Sequence, residues 1–525
     1  MSLVQPAWVL RSARRYCADP AVRTAAAFAT GLGVAQPVHR SQVTRWENGS
    51  AGVWFQLVRR YEQVCHYPEG TLLTALDLVH RQDRPISSIP QVRRPGRQDT
   101  LEAAADLVQA GLGAMPLSGD RWDLLSALVG EIPAVLLLPE QWQTLLRRLL
   151  QELSLSTGLG YLQRLECAAR LAGHASGARH VFDACVRVLT DQESHVYSEA
   201  AALLQYCSHP GVPDGLLRLV RGPVNLDALR GALYAVAPML SSGRLNPEDA
   251  LEVAQLAFGY CADTGLPYRV RRSAADVLRA LKPHARRRLA SKLHCEGIGA
   301  LVASILHEGA PRPAHASRAL RKRIQASIED QLSCSIDGDG QLIRLLEFVT
   351  VETNDARRAD ALQLLMVLPL GPTVGHAYAA ELRDALVRAD AGGVHEALGV
   401  LCFLGTSQEA DLLAGLATLA TPVPGHVAPI AVEAAWALGN ISGDSRALRR
   451  AENQIASAVA DQSGTTAEVR DGLYKAWAYA LGMRGRRDLL AEPGGRGTPP
   501  VAWARAAEFW LGLPDRFASA AGTRH

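Results

Sequence analysis

The chain has 525 residues, of which 48% are hydrophobic and only 6% aromatic, with a net charge of +3. That length suits roughly two to four ordinary domains, or one extended repeat array with a small appendage, and the dominance of Ala and Leu favours an almost all-α fold. The longest apolar runs, Ile132–Pro139 and Ala361–Gly371, fall short of the ~20 residues that a membrane-spanning helix needs, so no membrane partner is expected.

The charge is unevenly placed. Residues 1–100 carry 13 Arg and no Lys against 7 Asp plus Glu, which points to an anionic partner for the N-terminal segment. Only Lys282, Lys292, Lys322 and Lys475 are lysines among the 55 basic residues, a bias that fits a GC-rich bacterial genome. The opening stretch lacks the charged-then-apolar order and cleavage site of a secretory signal, so a cytoplasmic location is expected. Nine cysteines, widely spread and never spaced C-x-x-C, argue against a disulfide framework and read as buried small hydrophobes.

In chain order, Trp8–Cys17 reads as one amphipathic helix. Asp19-Pro20 supplies an N-cap with proline at the first helical position, predicting a second helix from Pro20 that Gly31 and Gly33 end. Pro37 opens a third helix, over residues 38–47, and Asn48-Gly49 stops it. On that third helix Val43 and Trp46 share a face and are assigned to the core. The opposite face holds Arg40, Ser41, Thr44 and Arg45, with Arg40/Thr44 and Ser41/Arg45 each four apart. Arg binds guanine O6/N7 bidentately, while Ser and Thr bond bases or phosphates, so double-stranded DNA is the candidate partner.

These residues carry a family resemblance. "FATGLG" (Phe28–Gly33) is similar to the positioning helix of Cro-type (XRE-type) helix-turn-helix regulators, and "SQVTRWENG" (Ser41–Gly49) to their recognition helix and its Glu-x-Gly end. "LVRRYEQVCHYPEGTLL" (Leu57–Leu73) resembles the fourth helix and the entry to the fifth. The resemblance covers about residues 8–78 and implies a five-helix DNA-binding domain over 1–81 that binds paired half-sites as a homodimer. It also implies that Arg40, Ser41, Thr44 and Arg45 face base edges, that Asn48 and Gly49 approach a phosphate through side chain and backbone, and that Glu47 is structural. The chain departs from the family in two places. The stretch from Gly33 to Glu47 is longer than usual because "VAQPV" enlarges the turn, and the alanines Ala25–Ala27 stand where a phosphate-binding glutamine is common, leaving Thr24 or Arg23 to substitute. Arg59 and Arg60 read as a solvated helix face with a possible reach to phosphate.

Gln82–Thr100 holds Pro85, Pro90, Pro95, Gly96 and four arginines and reads as a linker; Arg93, Arg94 and Arg97 could track phosphates. Beyond it a phrase of small residues and leucines at helical spacing recurs from Leu165, Ser198, Leu229, Val270, Arg357, Val394, Ala431 and Arg470, mostly at roughly 30- to 45-residue intervals. The phrases resemble HEAT-like repeats, so 101–525 is expected to be an α-helical repeat (HEAT-like solenoid) region for dimerisation, for sensing a small-molecule effector or for binding a protein. The larger gap before Arg357 leaves room for a degenerate unit near "SRALRKRIQASI".

The chain carries no P-loop, H-E-x-x-H or G-x-S-x-G run, so no catalytic residue, metal or cofactor is assigned. "SIDGDGQLIRLLE" (Ser335–Glu347) puts Leu346 where a calcium loop needs its glutamate and reads as a polar turn. Cys167, His174, His180, Cys185, His195, Cys207 and His209 lack a recurring ligand spacing and read as core cysteines and surface histidines. The leading expectation is a bacterial sequence-specific transcription regulator, cytoplasmic and nucleoid-associated. The alternatives are an interaction scaffold whose N-terminal domain docks a partner without reading DNA, and a repeat-region enzyme or sensor.

Overall fold

The computed structural model describes residues 3–32, 38–83, 100–191, 197–293, 300–302, 314–333, 335–336, 338–352, 355–419, 427–460, 467–495 and 499–514. Among these residues every regular element is a helix, as the Ala/Leu composition predicts, and none is long and apolar enough to cross a membrane.

The first five helices form one unit: α1 (Pro6–Arg15), α2 (Ala25–Leu32), α3 (Arg40–Glu47), α4 (Phe55–Val64) and α5 (Thr71–Asp83). Proline at the first position of α1 costs no backbone bond. The helix predicted from Pro20 divides in two. Asp19 accepts from the Ala21 amide at 2.8 Å and opens only a 3-10 turn, Pro20–Val22, after which Thr24 Oγ1 accepts from the Ala27 amide at 3.2 Å and starts α2. The Asp-Pro signal was spent on a single turn, and the hydroxyl four residues beyond Pro20 supplies the real cap. Trp8, Leu10, Phe28, Val43, Tyr61 and Leu72 fill the centre of the unit, with the Phe28 and Tyr61 rings 4.4 Å apart. Gly31 faces α4 closely, since a Cβ there would lie 3.2 Å from Val64 Cγ1. Burying these side chains is what holds helices this short, which are unstable alone.

Residues 84–99 of the expected linker lie outside the described residues. The chain continues as α6 (Thr100–Leu112), α7 (Gly119–Gly130), α8 (Pro139–Ser154), α9 (Gly158–Gly173), α10 (Ala178–Thr190), α11 (Tyr197–Leu204), α12 (Val212–Arg221), α13 (Leu226–Ser242), α14 (Pro247–Ala262), α15 (Tyr268–Ala280) and α16 (Pro283–Leu293). Odd helices from α7 to α15 stack on one another in one row and even helices from α6 to α16 in a second, the two-row geometry of a solenoid.

A further set follows: α17 (Ala314–Leu332), α18 (Gly340–Thr350), α19 (Asp355–Val367), α20 (Gly371–Val387), α21 (Ala391–Leu404), α22 (Ala410–Ala417), α23 (Val427–Asn440), α24 (Arg446–Ala460), α25 (Ala467–Met483), α26 (Arg487–Ala491) and α27 (Val501–Gly512). Here α19, α21, α23, α25 and α27 stack in turn. The recurring phrases fall on α9, α11, α13, α15, α19, α21, α23 and α25, so all of them lie in the stacked odd-numbered rows. Their small residues set the spacing: a Cβ on Gly231 would lie 2.9 Å from Ala201 Cβ, and one on Gly439 would lie 3.1 Å from Ala480 Cα.

The second set comes back against the first. Arg269 of α15 lies over the Trp436 ring of α23 at 4.6 Å and pairs with Glu433, whose other oxygen is 2.7 Å from His395 Nδ1. Burial works to raise the Glu433 carboxyl, but the His395 hydrogen bond and the Arg269 charge outweigh it and hold it below the usual carboxylate range. A depressed value stabilises the fold above the unfolded glutamate pKa of about 4.3, and that contribution is lost as pH falls through the folded value. Wild-type stability is therefore expected to drop below about pH 4 with a component that Glu433→Gln lacks, measured as denaturant midpoints across an acid series.

The five-helix unit is built into this array along α5 and along α1. Along α5, the buried Asp77 pairs with Arg170 of α9 and the buried Arg81 donates to Glu166 at 2.8 Å, its guanidinium 4.5 Å over the Tyr206 ring. Arg170 also reaches Asp123 of α7 at 2.6 Å. Along α1, one buried carboxylate is the hub: Asp339 accepts from Trp8 Nε1 at 2.8 Å and from the Tyr16 hydroxyl at 3.0 Å. It also caps α18 through the Leu342 amide at 3.1 Å and lies 3.6 Å from the Arg11 guanidinium. The polar turn that sequence spacing resembled to a calcium loop is thus the seat on which α1 rests. Asp339→Ala leaves several donors without their acceptor and is expected to cost about 3 kcal/mol, read by urea unfolding. Gln341→Ala, which removes only the exposed contact to Gln5, should stay within about 0.5 kcal/mol of wild type.

Candidate nucleic-acid interface

The geometry of α3 starts from its caps. His39 is the N-cap, its Nδ1 accepting from the Ser41 amide at 3.3 Å while Gln42 Oε1 accepts from the His39 amide at 2.9 Å. This reciprocal pair fixes the start of the helix. At the other end Gly49 takes φ +73°, a left-handed conformation that glycine adopts without steric cost. The amides of Ser50 and Ala51 fold back onto the Arg45 carbonyl at 2.9 and 3.2 Å.

One face of α3 is anchored. Val43 and Trp46 are buried, as the spacing predicts, and Trp46 meets the half-exposed Trp54 edge-to-face at 5.6 Å. Glu47 is buried too and holds the Arg14 fork with both oxygens at 2.7 Å, while the Tyr61 hydroxyl donates to it at 3.2 Å. Burial, with the Glu47 charge beside it, pushes the Tyr61 phenol far above its usual value, so it stays a neutral donor. Glu47 is therefore committed to joining α3 to α1 and α4.

The other face is exposed: Arg40, Ser41, Gln42, Thr44 and Arg45 all stand in solvent. Neither Arg40 nor Arg45 is paired with a carboxylate among the described residues. The Thr44 hydroxyl donates to the Arg40 carbonyl at 3.1 Å, which leaves its methyl and oxygen lone pairs outward. Ser41 Oγ lies 2.8 Å from His39 Nδ1, so its hydroxyl is shared with the cap.

The phosphate candidates divide. Asn48 is exposed, but the Gly49 amide is spent on the Trp46 carbonyl at 3.2 Å, so side-chain donors, Asn48 among them, are what this turn offers. Thr24 is exposed at the N-terminus of α2. Arg23 is drawn the other way: it donates to the Cys17 carbonyl at 3.0 Å and to the Leu332 carbonyl of α17 at 3.0 Å. Of the two substitutes for the missing glutamine, Thr24 is exposed and Arg23 is tied to the array. Arg59 pairs with Glu62 and Glu69, and Arg93, Arg94 and Arg97 lie outside the described residues, as do residues 33–37 of the enlarged turn.

Sequence reasoning passed over Gln42 and His39. Gln42 is exposed between Ser41 and Val43, and its Oε1 is the capping atom, so only its amide nitrogen faces outward; the capping-box spacing His39-x-x-Gln42 was the available signal. Elsewhere, the Cys/His stretch is dispersed. His180 stacks on Trp142 at 5.4 Å and His209 on Phe182 at 4.9 Å, while His195 lies outside the described residues. No cluster of three His, Cys, Asp or Glu side chains with metal-site geometry occurs among the described residues. Neither a family model nor a curated protein matches the chain.

Proposed function

We propose that the chain is a bacterial sequence-specific DNA-binding regulator whose α3 enters the major groove. One observation carries the reading: a short helix is fixed on one face by Val43, Trp46 and Glu47 and presents Arg40, Ser41, Thr44 and Arg45 on the other. In that reading Arg40 and Arg45 take guanine edges, Ser41 and Thr44 contact bases or a thymine methyl, and Asn48 and Thr24 bind flanking phosphates. Two copies bind paired half-sites, the repeat array receives a protein or small-molecule effector, and the protein resides in the cytoplasm with the nucleoid.

The test is to sequence genomic fragments retained by the purified full-length protein at several salt concentrations. A shared, two-fold motif is expected, with affinity falling as salt rises because phosphate binding releases counterions. Affinity indifferent to salt would sink the proposal. The burial of α5 and α1 against the array favours one rival, an interaction scaffold in which the five-helix unit is a structural end-piece. A stable protein partner captured with no enriched DNA would select it.

A further inference from the structure

Among the described residues the array ends on α27. The inner face of this helix is fixed: Trp503, Ala506, Ala507 and Trp510 are buried, and the Tyr479 ring of α25 meets Trp510 edge-to-face at 5.8 Å. The Trp503 indole donates to the Leu490 carbonyl of α26 at 3.0 Å, and Arg487 donates to the Leu513 carbonyl at 2.6 Å, so both ends of α27 are tied down. In a solenoid the last helix covers its neighbour and turns a polar outer face to water. The outer face of α27 departs from that pattern. Val501, Ala504, Arg505, Glu508, Leu511 and Gly512 line one shallow depression along it. Val501 is 77% exposed, Ala504 and Gly512 stand in solvent and Leu511 is half-buried. Arg505 and Glu508 are exposed as well, and neither forms an ion pair among the described residues.

The order of residues along this stripe is its own complement. When a second copy of the helix lies antiparallel across it, with a two-fold axis between Ala506 and Ala507, position 505 of each copy stands level with 508 of the other, and 501 with 512. Each Arg505 then meets a Glu508, and each Val501 enters the gap over a Gly512, where a Cβ would have nothing within 4 Å. A two-fold interface requires a patch that fits itself. One arginine and one glutamate centred on a single point, flanked by a large apolar residue on one side and a glycine on the other, meet that requirement.

We propose that the outer face of α27 is the contact between two copies of this chain, an antiparallel helix pair about a two-fold axis. As the device that brings two five-helix units to paired half-sites it rests on the DNA-binding reading above; the association itself does not. One 12-residue helix from each copy makes a contact at the small end of interface sizes, so free copies are expected to pair at roughly micromolar concentration. Two half-sites on one DNA would hold both copies and strengthen the pairing.

The experiment uses the full-length protein, free of DNA, in sedimentation equilibrium over a concentration series. A monomer–dimer equilibrium is expected. Arg505→Glu or Glu508→Arg alone sets like charges opposite each other and should weaken pairing by roughly tenfold or more. The two together restore opposite charges and should return it to within about threefold of wild type, a rescue that a merely structural role of either side chain would not produce. Val501→Asp should weaken pairing and not be rescued. In the wild type, amide exchange over 501–512 should slow as concentration rises, a signal independent of whether any variant folds. A chain that stays monomeric throughout, a dimer that neither single reversal weakens, or one that the paired reversal fails to restore overturns the proposal. A dimer that responds as expected while no DNA motif is enriched would leave this contact standing and remove the regulator.

Discussion

Arg40→Ala combined with Arg45→Ala is expected to abolish sequence-selective DNA binding while leaving the fold unchanged. Each bidentate contact of an arginine with guanine is worth about 1–3 kcal/mol of discrimination, so on the proposed reading the pair would supply about 2–6 kcal/mol, or roughly 30-fold to 10⁴-fold in affinity for the preferred sequence. Both side chains are exposed and bear no part of the core, so thermal unfolding should superimpose on wild type. Asn48→Ala is the contrasting control. A phosphate contact carries no sequence information, so its loss should weaken all sequences alike, and because asparagine is uncharged and releases no counterion the salt slope should stay as in wild type. A double variant that still selects the wild-type motif in a binding titration would mean that α3 does not read the bases.

Arg170→Ala should be among the most destabilising single substitutions in the chain. Its guanidinium is shared by Asp77 of α5 and Asp123 of α7, and both carboxylates are buried, 1% and 5% exposed. Burial works against the Arg170 charge, and Asp123 and Asp77 more than offset it. Removing one partner of a buried ion pair strands the other, at a cost of about 3–5 kcal/mol. Urea unfolding followed by tryptophan fluorescence measures the loss. Adding Asp77→Asn and Asp123→Asn should recover part of it, because the stranded charges are then gone. A loss under about 1 kcal/mol would show that the network is not what joins these helices.

How much of this was legible in the sequence depends on the range of the interaction. The caps and faces of α3 follow from neighbours: Val43 and Trp46 three apart, Asn48-Gly49 at the stop, and polar residues between. The stacked rows were likewise written in the repeated small residues of phrases such as those at Leu229 and Ala431. Asp19-Pro20 misled because a cap signal fixes where a turn starts and not how long it continues. The contacts that place the five-helix unit were invisible, since Trp8 meets Asp339 across 331 positions and Arg81 meets Glu166 across 85. Hydrophobic periodicity tells which face is buried but not against what, and a lone Asp77, Arg81 or Arg23 in an alternating pattern looks like surface. Arg23 shows the consequence at the candidate site, where a residue suited to phosphate is held by a carbonyl 309 positions away.

The seating of α1 on Asp339 and of α5 on α9 gives α3 a fixed bearing within the whole molecule. A reading head on a tether would search for its half-site separately from its twin, and spacing between half-sites would be loosely constrained. On the proposed DNA-binding reading, a head keyed into its frame would work as a caliper: in a two-fold pair the arrays would set the gap between the two α3 helices, and an operator with the wrong helical phase would be refused as firmly as one with the wrong bases. Flexing of the frame, for instance at the Arg269–Glu433 clasp, would then retune the caliper without touching a single residue that faces DNA.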